Sequence, residues 1–346
     1  MVDIKSRILL PEKIYALEGM ELNIYFENLC LPSPDMYVMD VNSEKGIHME
    51  KYWRYTAVSE EETPVTFSRL DYDCNVLNSK SCKVISCGKN NKPKNNIKCL
   101  FIGDSLTYNM AYTQMILNLA NSDSVNIELV GTHGYKHKNT ALKSNMHEGY
   151  GGWALKTHYE NQESPFVFNG QFDFQKYMEH NGFDKVDFVF FFLGPNDIVR
   201  MQNDEEINDL CEYNCKTYDK IIKNIHAFDN GIHIGIATML PPSKSQDSFG
   251  FSYGCRFKRH RYIRNTHVYN MHMIEAFDNK IDNVGIVPLH VMFDTENNVS
   301  WDERKPNARA KSTVRLQNNA VHPSDEGYAQ IADGFYFYIR NMSAVK

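Results

Sequence analysis

A chain of 346 residues exceeds most single compact domains, so two domains are the natural expectation. With 42% hydrophobic, 12% aromatic and 23% charged residues it can build a large core, which excludes a predominantly disordered chain. A net charge of −6 argues against a nucleic-acid backbone as the main partner and fits a small molecule or a carbohydrate better.

At the N-terminus, MVDIKSRILLPEK carries charge but no apolar h-region, so this stretch is not expected to act as a secretion signal. The compartment stays open. Residues 1–87 then read as β-rich. KIYAL (13–17), ELNIYF (21–26), MYVMDV (36–41) and PVTFSRL (64–70) are short, rich in β-branched and aromatic residues, and separated by turn formers such as LPSPD and NSEKG. A small antiparallel sandwich is predicted there. GKNNKPKNN (88–96) reads as a linker.

From residue 97 to 346 the pattern changes. KCLFIGDS opens on an apolar run, a helical stretch NMAYTQMILNLA follows, and NIELVG is a strand candidate. Further strands are predicted at VDFVFFFLG (186–194), HIGIATML (233–240) and NVGIVPL (283–289), with helices over 205–228 and 258–279 and a closing helix after Pro323-Ser324. Continuous apolar strands alternating with helices predict a parallel sheet covered on both faces. Ligands of such sheets bind beyond the carboxyl ends of the strands. No apolar run approaches the roughly 18 residues a membrane helix needs, so no membrane insertion is expected.

Four elements stand at those strand ends. Gly103-Asp104-Ser105-Leu106 follows the first strand, and a serine at a strand-to-helix junction is exposed with its own N–H facing the same space. Gly149-Tyr150-Gly151-Gly152-Trp153 is a glycine-rich loop. Gly194-Pro195-Asn196-Asp197 ends the strand VDFVFFFL and offers an amide side chain. Val321-His322-Pro323 places an imidazole before the closing helix. Taken singly, each has a plainer reading, as a cap, a turn or a structural histidine.

Taken together and in order, the four blocks resemble the SGNH (GDSL-type) hydrolase family, over about residues 97 to 342. HEGYGGW, SPFVFNGQFDFQKY and VHPSDEGYAQIADGFY strengthen the resemblance. It implies a three-layer α/β/α (flavodoxin-like) domain with a short parallel sheet, preceded by the all-β sandwich. It also implies ester hydrolysis through an acyl-serine, with Ser105 as nucleophile and His322 as base. The oxyanion would be held by the Ser105 N–H, the Gly152 N–H and the Asn196 side chain. Asp104 and Asp197 would support loop geometry, and Trp153 is a candidate to stack on a sugar ring.

One position departs from the family, which usually has Asp three residues before the His. Here it is Asn319. Three readings stay open: a Ser–His dyad assisted by Asn319 or a backbone carbonyl, a substitute acid from Asp294, Asp302 or Asp325, or an impaired enzyme. No cofactor and no metal are expected. His133, His137 and His147 lie in a polar loop without carboxylates at ligand spacing. The eight cysteines lack CxxC pairs, and free buried thiols are the default, with a bridge among Cys74, Cys82 and Cys87 left open. His272 should pack on its helix. The run Arg256–Arg261 reads as a solvated helix face, or as a contact for an acidic sugar or a partner.

The expected substrate is an acetyl or other short acyl ester of a carbohydrate. Rival readings are a short-chain or lipid esterase, and a non-catalytic glycan- or partner-binding protein that keeps the fold. Whether the chain forms homo-oligomers is not legible.

Overall fold

The computed structural model describes residues 7–31, 37–134 and 144–344. The N-terminal part is built from β1 (Lys13–Leu17), β2 (Glu21–Tyr25), β3 (Val38–Asn42), β4 (Ile47–His48), β5 (Tyr52–Thr56), β6 (Glu61–Leu70) and β7 (Val76–Cys87). They form a four-stranded sheet in the order β1-β7-β6-β3 and a three-stranded sheet β2-β5-β4. Alternating apolar residues from both sheets (Ile14, Leu22, Ile24, Trp53, Phe67, Val84) are buried between them. The arrangement is not wholly antiparallel, because β1 pairs β7 in parallel. More than enough chain separates the two strands for that crossover. The strands β5 and β7 were not legible, since YWRYT and VLNSKSCKVISC place polar residues on the exposed face.

The remainder is a parallel sheet between two helical layers. Its elements are β8 (Ile97–Gly103), α1 (Ser105–Tyr108), α2 (Ala111–Ser122), β9 (Ile127–Val130), β10 (His133–Gly134), β11 (Met146–Gly149) and α3 (Leu155–Glu160). A small hairpin β12 (Val167–Phe168) and β13 (Gln171–Phe172) leads to α4 (Phe174–Asn181), β14 (Phe188–Phe192), α5 (Pro195–Ile198) and α6 (Asp204–Phe228). Then come β15 (His233–Ala237), α7 (Gln246–Tyr253), α8 (Arg259–Phe277), β16 (Val284–Val287) and α9 (Leu289–Met292). A second hairpin, β17 (Trp301–Arg304) and β18 (Val314–Gln317), precedes α10 (Asp325–Ser343).

The sheet order is β10-β11-β8-β14-β15-β16, with β9 also paired to β8. β8 is shared along its length: residues 97–100 pair β9, and Ile102 and Gly103 pair β11. The central strands show why the fold needs two covering layers. Phe101, Phe190 and Phe192 pack with α10 and α2, whereas Leu100, Ile102, Val189 and Phe191 pack on the opposite side with α4, α6 and α8. Successive side chains point to opposite faces and all are buried, so the strands read as unbroken apolar runs.

α10 joins the two parts. Tyr338 meets Tyr15 edge-on at 5.1 Å, Asn341 donates to the Ala16 carbonyl, and buried Arg340 pairs with Asp123 at 2.8 Å. Arg340 also donates to the carbonyls of Gly88, Lys89 and Asn91. The polar segment after β7 is thereby tied to the last helix. Among the described residues no helix is long and apolar enough to cross a membrane. The cysteines are free thiols: Cys74 and Cys255 are exposed, Cys215 is intermediate, and the rest are buried.

Candidate active site

Ser105 and His322 are 217 residues apart and meet at the carboxyl edge of the sheet, with His322 Nε2 2.9 Å from Ser105 Oγ. Each is placed by a local device. Gly103 ends β8 where a Cβ would sit 1.9 Å from Thr107 Oγ1, so only glycine lets the strand turn directly into α1. Asp104 then caps α1, its Oδ1 accepting the Leu106 N–H at 2.9 Å. Ser105 is thus the first residue of the helix.

His322 sits in a turn closed by Asn319. The Asn319 Oδ1 accepts from the backbone N–H groups of Val321 at 3.1 Å and His322 at 2.9 Å. Asn319 therefore holds the loop, and among the described residues no hydrogen bond links its side chain to the imidazole. None of the other acids considered bonds the ring either. Asp294 accepts from the N–H groups of Glu296 and Asn297, Asp302 pairs with Arg304, and Asp325 opens α10. Burial pushes the His322 ring below its usual 6.5.

Asn196 follows Gly194, whose φ of +134° and contact with Met239 leave no room for a side chain. Its Nδ2 donates to the Trp153 carbonyl at 3.0 Å and reaches Asp104 Oδ2 at 3.4 Å. Three of the four blocks are therefore linked through one amide. Asp197 is buried and accepts from Asn214 Nδ2 at 2.9 Å and from the Leu155 N–H at 3.3 Å. It caps α3 from outside and so fixes the loop that ends in Trp153. Gly152 has φ +83° and open space where a Cβ would stand. Among the described residues neither its N–H nor that of Ser105 donates to a backbone carbonyl.

Burial dominates the electrostatics beneath the dyad. Burial raises the Asp104 carboxyl to about 7, against the pull of the Leu106 N–H, with Asp197 raising it further. Burial likewise raises Asp197 to about 6, against its bonds to Asn214 and Leu155. Both carboxyls act here as acceptors for loop N–H groups.

Trp153 is half-buried and stacks on Tyr150 at 4.2 Å, which stacks on His133 at 4.7 Å. Glu148 was missed by sequence reasoning. It is buried and accepts from Thr132 N (2.6 Å), Thr132 Oγ1 (3.1 Å), Tyr150 OH (2.7 Å) and Tyr177 OH (2.8 Å). An acid inside an otherwise glycine and aromatic motif was the available signal.

His133, His147 and His272 serve the scaffold. His133 Nδ1 contacts the Gly149 carbonyl, and His147 Nδ1 accepts the Gly149 N–H. His137 lies outside the described residues. His272 is half-buried and reaches Asn208. Among the described residues no three His, Cys, Asp or Glu side chains are grouped to hold a metal. In the basic run, Arg259 donates to the Ser243 carbonyl and Arg261 pairs with Asp204. A cavity of about 740 Å³ opens elsewhere, lined by Tyr25, Tyr52 and the 294–297 turn, and includes neither Ser105 nor His322. Chemistry, not concavity, marks the site.

The model of the GDSL-like lipase/acylhydrolase family matches residues 99–335, which span all four blocks. The chain belongs to that family. It is by that membership an ester hydrolase. Among solved structures this GDSL-family chain is similar to a carbohydrate esterase family 3 protein from Talaromyces cellulolyticus, with 16% identity, 71% of this chain and 98% of that one covered, and a TM-score of 0.45. A carbohydrate acetylesterase family member from Sinorhizobium meliloti gives 13% identity, 71% and 98% coverage, and a TM-score of 0.41. A GDSL-like lipase from Bacteroides thetaiotaomicron gives 12% identity, 71% and 88% coverage, and a TM-score of 0.38. The family assignment rests on the sequence match. No curated protein matches the chain.

Proposed function

We propose that this ester hydrolase removes acetyl or other short acyl groups from carbohydrate hydroxyls through an acyl-serine on Ser105, using a Ser–His dyad. The observation that carries the reading is the 2.9 Å contact between His322 Nε2 and Ser105 Oγ. His322 Nε2 takes the Ser105 proton as Oγ bonds to the ester carbonyl carbon. The negative charge that develops on the carbonyl oxygen is met by the Ser105 and Gly152 N–H groups and by Asn196 Nδ2, which exchanges its long 3.4 Å contact with Asp104 Oδ2 for the oxyanion. Collapse breaks the ester C–O bond, and the leaving alcohol takes the proton from His322. Water then gives a proton to His322 as its oxygen bonds to the acyl carbon, the acyl C–Oγ bond breaks, and His322 returns the proton to Ser105 Oγ as the acid leaves.

With no carboxylate bonded to the imidazole among the described residues, the imidazolium formed in each half-reaction is stabilised only by its surroundings. Its depressed basicity keeps the ring neutral and competent at neutral pH. The surface around His322 supports a short acyl group. Of the large apolar side chains exposed among the described residues, Phe251 and Val314 lie on segments flanking the His322 loop, and Arg304 covers Phe251 at 3.6 Å. A long acyl chain would need a continuous apolar surface.

The test is a series of p-nitrophenyl esters from acetate to palmitate, together with an acetylated xylo-oligosaccharide, on wild type and Ser105→Ala. The reading expects turnover confined to the short esters, acetate release from the sugar, and loss of both in Ser105→Ala. Turnover that persists on palmitate would favour a lipid esterase. No turnover and no fluorophosphonate labelling would sink catalysis altogether.

A further inference from the structure

The hairpin β17–β18 lies directly upstream of the candidate base. Asn318 N–H bonds the Ser300 carbonyl, Val299 bridges Pro323, and Gln317 is anchored by the Thr295 carbonyl at 3.0 Å. On its other side the His322 loop is held by α7, where Ser252 Oγ accepts the Ala320 N–H at 3.1 Å. The hairpin and the α7–α8 connection thus form the rim next to His322.

That rim is strongly cationic in a chain whose net charge is −6. Between Trp301 and Arg315 stand Arg304, Lys305, Arg309, Lys311 and Arg315 against Asp302 and Glu303. The cations around this rim fall into two kinds. Arg259, Arg261 and Arg264 are used by the fold, on the Ser243 carbonyl and on Asp204. Lys305, Arg309 and Lys311 are exposed, and among the described residues none of them has an ion pair. Exposed Lys258 on the α7–α8 connection is likewise unpaired there. Such a cluster repels itself and does nothing for stability.

The arginines at the base of this surface lie over aromatic rings. Arg304 lies over Phe251 at 3.6 Å, Arg315 over Trp301 at 4.6 Å and Arg256 over Phe257 at 4.8 Å. Arg304 spends its edge on Asp302, whereas Arg315 and Arg256 have no ion pair among the described residues, and a guanidinium held over a ring keeps N–H donors that match a carboxylate. Arg315 also bears on Glu326 in the first turn of α10, four residues past His322.

We propose that this rim binds a carboxylate-bearing polysaccharide, a uronate polymer, whose acylated sugar enters over Ser105 while its acidic neighbours run along the hairpin. The inference names the substrate class of the site and rests on the esterase reading above. Opposed charge next to a cleft raises the local substrate concentration and the association rate about 10- to 1,000-fold, and the gain is lost in salt.

Three measurements separate the two readings. p-Nitrophenyl acetate hydrolysis reports the esterase alone. Deacetylation of acetylated polygalacturonate against acetylated xylan reports the charge preference. Binding of unesterified polygalacturonate to Ser105→Ala, by calorimetry, needs no turnover. In the triple variant Lys305→Glu, Arg309→Glu, Lys311→Glu, about a tenfold or greater fall in kcat/KM is expected on acetylated polygalacturonate, with p-nitrophenyl acetate and xylan unchanged. High salt should mimic the substitution. The side chains are exposed, so folding is expected to hold, and a single Arg309→Gln gives a milder check. If p-nitrophenyl acetate is not turned over but polygalacturonate binding persists and is lost in the triple variant, the esterase reading fails and the binding surface stands. Equal kcat/KM in wild type and triple variant, binding that survives the charge reversal, or stronger binding to phosphatidylglycerol vesicles than to polygalacturonate would overturn the proposal.

Discussion

Replacing Asn319 by Ala separates a residue that holds a loop from one that orients the base. In the structure its Oδ1 accepts two backbone N–H bonds, from Val321 and His322, at 3.1 and 2.9 Å. A net hydrogen bond contributes about 0.5–1.5 kcal/mol, so the variant should lose about 1–3 kcal/mol, confined to the His322 loop. Catalysis suffers only as far as the loop shifts, and a misplacement near 1 Å costs about 100-fold. A residue that fixed the imidazole tautomer would instead cost about 10,000-fold, as in triad enzymes. The account predicts a fall in kcat/KM on p-nitrophenyl acetate of no more than about 100-fold, accompanied by lower stability in urea. Asn319→Asp keeps the acceptor and should stay within a few fold of wild type. A loss of about 10,000-fold in Asn319→Ala at unchanged stability would refute the reasoning and return Asn319 to the ring.

Asn196→Ala should lower kcat by about 100- to 1,000-fold with little change in KM, since its amide serves the charge that develops in the transition state; a KM effect alone would contradict this. Gly194→Ala forces a Cβ to 2.3 Å from Met239 Sδ at φ +134°, and strain plus overpacking should cost about 2–5 kcal/mol by chemical denaturation. In the pH profile, a general base must be neutral, and burial lowers the His322 pKa from 6.5. The acid limb of kcat/KM should therefore have its midpoint below 6.5 and be flat at neutral pH; a midpoint above 6.5 would imply a carboxylate acting on the ring.

The parallel domain was legible because its strands are buried on both faces. Runs such as VDFVFFFLG stand out against any background, and the helices over 205–228 and 258–279 were placed within a few residues of α6 and α8. The Ser105 and Asn196 blocks followed, since each is the turn at the end of such a strand, while the glycine loop and His322 were placed by their order in the family pattern. What stayed hidden has physical causes. β10 and β11 read His-Gly and Met-His-Glu-Gly, with polar groups satisfied by tertiary partners that no local pattern announces. Asn319 could be located but its direction could not, because a side-chain amide serves a backbone turn and a ring nitrogen equally well. The cationic hairpin carried little strand signal, its two strands being four residues each and only one of those residues buried, and its position beside His322 appears only once Val299 meets Pro323.

The most direct test of the central claim is mass spectrometry of the enzyme quenched during p-nitrophenyl acetate turnover. An acetyl group is expected on the peptide containing Ser105, absent in Ser105→Ala, which should also lose turnover. Hydrolysis that continues unimpaired in Ser105→Ala, with no acylated serine in wild type, would contradict it.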